Sequence, residues 1–193
     1  MAGRRAGAGL ALAAVALIAA GCGLGGSTTT VTSTVTRTVT TTRTVTSQTS
    51  PAACMGAQLT GTFKMVTGSQ GAGQVSYNLQ LTNDSQDTCY VAGPPVVVLL
   101  GTDGAELPTF VYPRKGVFRN VKVLVAPGGA AHAGARFSPS VPGTGDSQSG
   151  SCQPKAVTLR LTPGGGGTVD VPIQPPTSVC ERGTLNFDPF AAG

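Results

Sequence analysis

The sequence feature that most constrains the fold is residues 75–100, VSYNLQLTNDSQDTCYVAGPPVVVLL. Their first third alternates apolar and polar side chains, which is the two-residue period of a strand with one buried face. The apolar positions are Tyr77, Leu79 and Leu81. Residues 83–85 then predict a turn, because short polar side chains hydrogen-bond the local backbone. A run containing Cys89 and the apolar run 96–100 follow, so we expect a hairpin that carries a cysteine and leads into a buried strand.

Short alternating runs, separated by turns rich in Gly, Pro, Asn and Asp, continue through the chain from residue 54. Besides the runs within residues 75–100, they are residues 59–66, 120–126, 130–137, 156–161, 168–173 and 183–187. We expect residues 130–137 to pair with residues 120–126 across the turn at 127–129. About eight strands without a helix predict an all-β domain, an antiparallel β-sandwich, over residues 54–193.

Residues 1–21 have the composition of a secretory signal peptide that ends before a cysteine. Arginines at positions 4 and 5 give a positive start, and residues 10–20 are apolar. This stretch is too short to span a bilayer, which takes about 20 apolar residues. Small residues at positions 19–21 then precede Cys22. Together these features resemble the bacterial lipobox, in which a peptidase cuts before the cysteine and the thiol receives a diacylglycerol.

We therefore expect Cys22 to be the acylated first residue of a mature lipoprotein on the outer face of the cell membrane. Two or three acyl chains hold a protein firmly at a membrane, whereas one chain alone gives marginal binding. The alternative is an ordinary signal peptide that is cut after a small residue. In that case Cys22 remains as a free thiol.

Residues 27–50 are a low-complexity tract built on a repeated Thr-Val-Thr unit. The alternation is compatible with a strand, yet neither face offers a bulky side chain whose burial would offset the entropy of ordering. We expect residues 22–53 to form a disordered stalk that spans at most about 100 Å when fully extended and reaches into the cell wall. Threonine-rich stalks are also common O-glycosylation substrates. The alternative is that the tract pairs as a strand or mediates self-association.

Four cysteines remain when Cys22 is set aside: Cys54, Cys89, Cys152 and Cys180. An even number in an exported domain predicts two disulfides, for which three connectivities are possible. We favour the pairing of sequence neighbours, the first with the second and the third with the fourth. Each bridge would then stabilise the domain by about 3.5–4 kcal/mol in the chain-entropy model. A zinc site is disfavoured because the spacing lacks closely paired ligands, and we expect no metal and no cofactor.

Several short motifs follow one another between residues 54 and 190. They are Cys54-x4-Leu59, Leu79-x-Leu81-Thr82-Asn83-x-Ser85-x3-Cys89, Gly93-x-Pro95-x-Val97, Val125-x-Pro127-Gly128, Cys152 with Pro154, Val179-Cys180, Leu185 and Pro189-Phe190. In this order they resemble the domain of unknown function 4232, which occurs mostly in actinobacterial exported proteins and lipoproteins. The resemblance implies an immunoglobulin-like sandwich and an extracytoplasmic location. It brings no established activity or ligand.

The positive charge of the chain does not indicate a nucleic-acid partner. The net charge is +5, but four of the thirteen Lys and Arg residues precede residue 54. The remaining nine face eight Asp and Glu residues, so the domain is close to neutral. A nucleic-acid-binding domain needs a concentrated basic patch.

Residues 110–122, FVYPRKGVFRNVK, mix aromatic and basic side chains within this near-neutral domain. The residues concerned are Phe110, Tyr112, Arg114, Lys115, Phe118, Arg119 and Lys122. Such a mixture can bind an anionic or sugar-bearing envelope component through stacking and charge. The alternative, which we favour from the sequence alone, is a connecting loop whose aromatic side chains pack down and whose charges keep it soluble.

Residues suited to catalysis are scarce. His132 is the only histidine and lies among small residues on a predicted strand, so we expect it to be structural. Met55 and Met65 with His132 form a weak candidate set for a soft metal. Asp84 and Asp87 flank a turn and need no catalytic explanation.

These observations predict a non-catalytic binding module of the bacterial envelope, held at the membrane by its lipid. The expected ligand is an envelope polysaccharide, lipid or protein. A structural cell-wall component or adhesin is the first alternative, and a secreted enzyme is the second.

Overall fold

The computed structural model describes residues 28–35, 39–46, 50–114 and 121–193. The chain divides into two compact units, Met1–Thr49 and Ser50–Gly193. The predicted signal peptide and Cys22 lie outside the described residues. Within the described part, no helix combines the length and apolar character needed to cross a membrane.

The first unit contains two antiparallel strands, β1 (Thr28–Val35) and β2 (Val39–Thr46). Thr28 lies opposite Thr46, and the register continues to Val35 opposite Val39. The structure departs here from the unpaired stalk that we expect and agrees with the paired alternative. Pairing satisfies the backbone amides and carbonyls of both strands, and β-branched residues suit strands. That the tract spaces the domain from a membrane stays a prediction.

The second unit is built almost wholly of strands, which confirms the all-β class. The strands are β3 (Leu59–Met65), β4 (Val75–Asn83), β5 (Cys89–Ala92), β6 (Val97–Leu100), β7 (Glu106–Leu107), β8 (Phe110–Pro113), β9 (Lys122–Val125), β10 (Ala130–Phe137), β11 (Lys155–Leu161), β12 (Val169–Ser178), β13 (Thr184–Phe187) and β14 (Ala191–Ala192). A 3₁₀ turn at Gly56–Gln58 and a four-residue helical turn, α1 (Cys180–Gly183), complete it. More strands form than the eight predicted, because two-residue strands such as β7 and β14 are too short to show a period.

The alternation that predicts β4 is confirmed. Along this strand every second side chain is buried, and the others are partly exposed. The buried positions are Val75, Tyr77, Leu79, Leu81 and Asn83. The same period governs β10, where small alanines and Phe137 face inward. These two central strands pair along their full length, with Phe137 opposite Val75 and Ala130 opposite Thr82.

The largest sheet has the order β7-β6-β11-β12-β3-β4-β10-β13-β8, with β14 beside β10. Most neighbouring strands are antiparallel as predicted, but the sheet is mixed, because β12 runs parallel to β3 and β13 runs parallel to β8. Parallel neighbours need long connections between them, so no local turn signal in the sequence marks these pairs. The immunoglobulin-like detail stays a prediction.

The hairpin predicted within residues 75–100 is wrong. Strand β5 does not continue the large sheet beside β4 but pairs with β9 in a separate two-stranded sheet. The predicted pairing of residues 120–126 with 130–137 fails for the same reason, since β10 pairs with β4 instead. Both turns are corners at which the chain passes from one sheet to the other.

Asn83 joins these two corners. Its fully buried side chain donates hydrogen bonds from Nδ2 to the carbonyls of Asp87 (2.8 Å) and Val125 (2.9 Å). Its Oδ1 accepts from the backbone N–H of Ser85 at 3.0 Å. The backbone N–H of Gly128 donates to the Asn83 carbonyl at 2.7 Å, which ties the second corner to the first. Asn83 is thus the physical reason for the Leu-Thr-Asn-x-Ser-x3-Cys motif.

One hydrophobic core lies between the sheets and takes residues from nearly every strand. Four aromatic rings occupy its centre: Phe63, Tyr77, Phe137 and Phe187. The ring of Phe63 lies 5.1 Å from that of Tyr77 and 6.1 Å from that of Phe187, measured between centroids. These are ordinary distances for interacting aromatic pairs.

Both predicted disulfides are present, one joining Cys54 to Cys89 and the other Cys152 to Cys180. The first ties the start of β5 to the segment before β3, where the N–H of Cys54 also donates to the Tyr90 carbonyl at 2.9 Å. The second fixes α1, the turn before β13. The first bridge therefore links the two-stranded sheet to the segment before β3, and the second links the segment before β11 to the turn after β12.

Candidate functional site

Strand β8 presents two large aromatic side chains to solvent. Phe110 is 41% exposed and Tyr112 is 52% exposed, whereas Val111 between them packs against the core. Strand β8 is the last strand of the large sheet and pairs with β13 along one side. The expectation that these aromatic residues pack down is therefore wrong for both residues.

The register of the sheet places Tyr112 in a row of polar side chains. Tyr112 lies opposite Asn186 on β13, and Asn186 lies opposite Arg136 on β10. Register partners point to the same face of a sheet, and neighbouring strands lie about 4.8 Å apart. The side chain of Asn186 donates to the Arg136 carbonyl at 3.4 Å, so it lies along the sheet surface. An aromatic ring, an amide and a guanidinium thus stand side by side.

Arg114 borders this row and forms an ion pair. Its guanidinium donates to Oδ2 of Asp188 at 3.0 Å. The Asp188 side chain lies over Gly134, where a Cβ atom would meet Oδ2 at 2.7 Å. Because both partners are substantially exposed, the pair contributes no more than about 1 kcal/mol to stability. Its effect is to neutralise the charge of Asp188 beside the row.

A second arginine, Arg182 in α1, contacts the Phe110 ring on β8. The guanidinium carbon of Arg182 lies 5.4 Å from the centroid of the Phe110 ring, within cation–π range. Arg182 has a φ of 58°, and the preceding Glu181 has a φ of 55°. Both values belong to the left-handed region, which costs about 1–3 kcal/mol for a residue other than glycine. Some other contact has to hold this turn.

The carboxylate of Asp146 provides that contact. It accepts hydrogen bonds from the backbone N–H groups of Glu181 and Arg182, and also from Gly143 and the Gln153 side chain. Two successive left-handed residues form a concave group of N–H donors that binds an anion. Burial alone would raise the pKa of the Asp146 carboxyl, but these four donors outweigh it and lower the pKa from 3.8 to about 2. The turn is therefore preset before any ligand arrives.

We call the exposed side of β8, β13 and β10 with the adjoining turn the Tyr112 face. It consists of Phe110, Tyr112, Arg114, Arg136, Asn186 and Arg182. Among the residues that the structure describes, the ion pairs are Arg114 with Asp188 and Arg160 with Asp170. The other two arginines of the face therefore have no acidic partner within that described set.

The structure divides the aromatic and basic segment of residues 110–122. Phe110, Tyr112 and Arg114 lie on the Tyr112 face. Lys122 belongs to β9 in the two-stranded sheet, where its Nζ lies 4.2 Å from the centroid of the Tyr90 ring. The remaining three predicted residues lie outside the described residues: Lys115, Phe118 and Arg119.

Sequence reasoning missed three members of the face. Arg136 and Asn186 occupy outward positions of alternating strands, so their exposure was predictable. Their nearness to Tyr112 was not, because it depends on the parallel pairing of β13 with β8. Arg182 gave no signal, because positive φ values at non-glycine residues have no local sequence mark.

The weak candidates for metal binding do not form a site. His132 stands on the outer face of β10, with Nδ1 3.2 Å from Nδ2 of Asn78, whereas Met65 packs against the core on the inner side of the same sheet. Asp146 lies close to the sulfur atoms of Cys152 and Cys180, but these sulfurs are bonded to each other and offer no thiolate. Thiolate is the form of cysteine that binds metal.

Comparison with known families defines the class of this domain. The family model described as "Domain of unknown function (DUF4232)" matches residues 54–191. The chain therefore belongs to this family, and the resemblance drawn from its motifs is confirmed. No curated protein and no solved structure matches the chain significantly.

Proposed function

We propose that this chain is a lipid-anchored, extracytoplasmic binding module of the bacterial cell envelope and not an enzyme. The observation that supports this most is the use of cysteine. Four of the five cysteines form two disulfides, which persist in oxidising compartments outside the cytosol. The fifth, Cys22, directly follows a segment with signal-peptide character, and its sulfur is the atom to which lipid would be attached.

The binding role is supported by the Tyr112 face. A face with two exposed aromatic rings and unpaired arginines is costly to leave bare and is typical of recognition surfaces. The single histidine supports the non-catalytic part of the proposal, because it is hydrogen-bonded to an asparagine and not to a hydroxyl or thiol nucleophile.

The anchor is tested by membrane fractionation of the full chain and of its Cys22→Ala variant, grown with a labelled fatty acid. We expect the full chain to carry label and to sediment with membranes. The variant should carry no label and should be released. Ser27→Ala is the matched control and should behave as the unchanged chain. Retention of unlabelled Cys22→Ala at membranes would refute the anchor.

A structural or adhesive role is the second candidate, and the paired strands β1 and β2 support it. In that case the Thr-Val tract itself forms the attachment, through pairing with further strands or through contact with the cell wall. Deleting residues 27–50 from the full chain separates the two roles. A binding module keeps its affinity for isolated envelopes after the deletion, whereas a structural component loses its association.

A further inference from the structure

We infer that the Tyr112 face binds an acidic polysaccharide, a polymer of sugars that carry carboxylate or phosphate groups. This inference rests on the proposed function and names the ligand class of its site. It follows from the charge of the face, from the chemistry of its uncharged groups, and from the way one of its arginines is held in place.

The charge of the face favours an anion. Arg136 is exposed and has no acidic partner among the described residues, and Arg182 contacts an aromatic ring and not a carboxylate. Asp188, beside the row, is already paired with Arg114. An unpaired guanidinium presents a planar set of donors that matches a carboxylate or phosphate. The face therefore has a local positive surplus although the domain is near neutral.

The uncharged groups favour a sugar over a bare ion. A sugar ring has apolar faces and a rim of hydroxyl groups, so it needs a flat apolar surface beside groups that both donate and accept hydrogen bonds. The Tyr112 ring supplies the surface, and the Asn186 amide beside it supplies a donor and an acceptor. The row continues across β10 to Ser76 on β4, which lies opposite Arg136 and adds a hydroxyl.

The turn that carries Arg182 is preorganised. Its two left-handed residues are held by the Asp146 carboxylate and by the Cys152–Cys180 disulfide. The following Gly183 has no Cβ atom, which leaves room for the Pro108 carbonyl. Backbone strain of this kind persists only where its surroundings impose it, and it is concentrated at functional sites. Its result here is a guanidinium fixed above Phe110, two residues from Tyr112 along β8, which lowers the entropic cost of binding.

A protein partner fits this face less well. A stable protein interface buries about 800 Å² per partner around a centre that is largely apolar. Among the described residues, the exposed large apolar side chains of the Tyr112 face are Phe110 and Tyr112, and Arg182 lies over Phe110, so the face offers no broad apolar centre. A long polymer that meets one sugar per strand matches the spacing of the row better.

The test uses the full chain with Cys22→Ala, so that lipid does not contribute, and three soluble probes. Polygalacturonate carries carboxylates, phosphomannan carries phosphates, and unmodified mannan is the neutral control. We expect one or both acidic probes, and not mannan, to retard the protein in affinity electrophoresis. Losing one charge-assisted contact should raise the Kd about tenfold in Arg136→Ala, and Tyr112→Ala should act similarly.

Arg160→Ala is the matched control, because it removes the same charge from β11, outside the face. It should leave the Kd unchanged within about twofold. Equal losses in Arg136→Ala and Arg160→Ala would overturn the inference in favour of unspecific charge attraction. Equal binding of mannan would also overturn it, as would preferential binding to phosphatidylglycerol vesicles. Melting curves must show that each variant is folded, and Arg136→Lys, which keeps charge without the planar fork, should recover only part of the affinity.

The two proposals fail in different ways. Suppose that isolated envelopes retain the protein, and that the Arg136→Ala and Tyr112→Ala variants bind the envelopes as well as the protein with an unchanged Tyr112 face. The ligand assignment is then wrong, and the proposal of a binding module stands. If envelopes retain none of these proteins, the proposed function itself is wrong.

Discussion

Asp146 fixes a turn with one carboxylate, and this gives stability a defined dependence on pH. Its pKa is lower in the folded protein, about 2, than the ordinary value of 3.8. The carboxylate contribution is therefore complete above that ordinary value and is lost as the pH falls towards 2. We predict that Asp146→Asn lowers the melting temperature at pH 6 and that the difference from the unchanged protein shrinks at pH 2. Differential scanning calorimetry measures both, with exposed Asp84→Asn as the control.

We predict that truncating the Asn83 side chain lowers the stability of the domain strongly. Asn83→Ala removes two donors and leaves the buried carbonyl of Val125 without its partner. We expect the free energy of unfolding to fall by about 2–4 kcal/mol, since an unsatisfied buried group costs more than a lost hydrogen bond. Asn186→Ala, at a partly exposed site, should cost less than about 0.5 kcal/mol. Urea denaturation compares the two, and equal losses would refute the role assigned to Asn83.

The individual strands were predictable because a two-residue period is local, and β4 and β10 follow it closely. Their partners were not. A turn sequence such as residues 83–85 bends the chain whether it joins two neighbours of one sheet or sends the chain to another sheet. Here the buried Asn83 side chain stabilises the second arrangement, in which the chain passes to another sheet. It does so through a hydrogen bond to the Val125 carbonyl that no local pattern reveals. The Tyr112 face stayed hidden for the same reason, because it exists only through the β8 and β13 register.

The two disulfides should have separable effects. Replacing either pair by alanines should cost about 2–5 kcal/mol of stability, since both close loops of similar length. Only Cys152→Ala with Cys180→Ala should also weaken binding of whichever acidic probe, polygalacturonate or phosphomannan, the unchanged protein binds, because Cys180 begins the turn that carries Arg182. Cys54→Ala with Cys89→Ala is the matched control for lost stability. An equal loss of affinity in both variants would contradict the preset turn.

Across the whole molecule, the five cysteines bear on both the predicted location and the fold. One is predicted to carry lipid, and the other four form the two disulfides of the domain. The family, the all-β class and both cysteine pairs could be foreseen from the sequence, since motifs, periods and counts are linear features. The Tyr112 face could not, because it draws on β8, β10 and β13, which are far apart in the chain.

The measurement that tests this account most directly is intact mass spectrometry of the protein extracted from membranes of the producing cells, before and after thiol alkylation. The account predicts a chain that begins at Cys22, carries two or three acyl chains and has no alkylatable thiol. A chain that keeps residues 1–21 with Cys22 unmodified, or that has free thiols at Cys54, Cys89, Cys152 and Cys180, would contradict it.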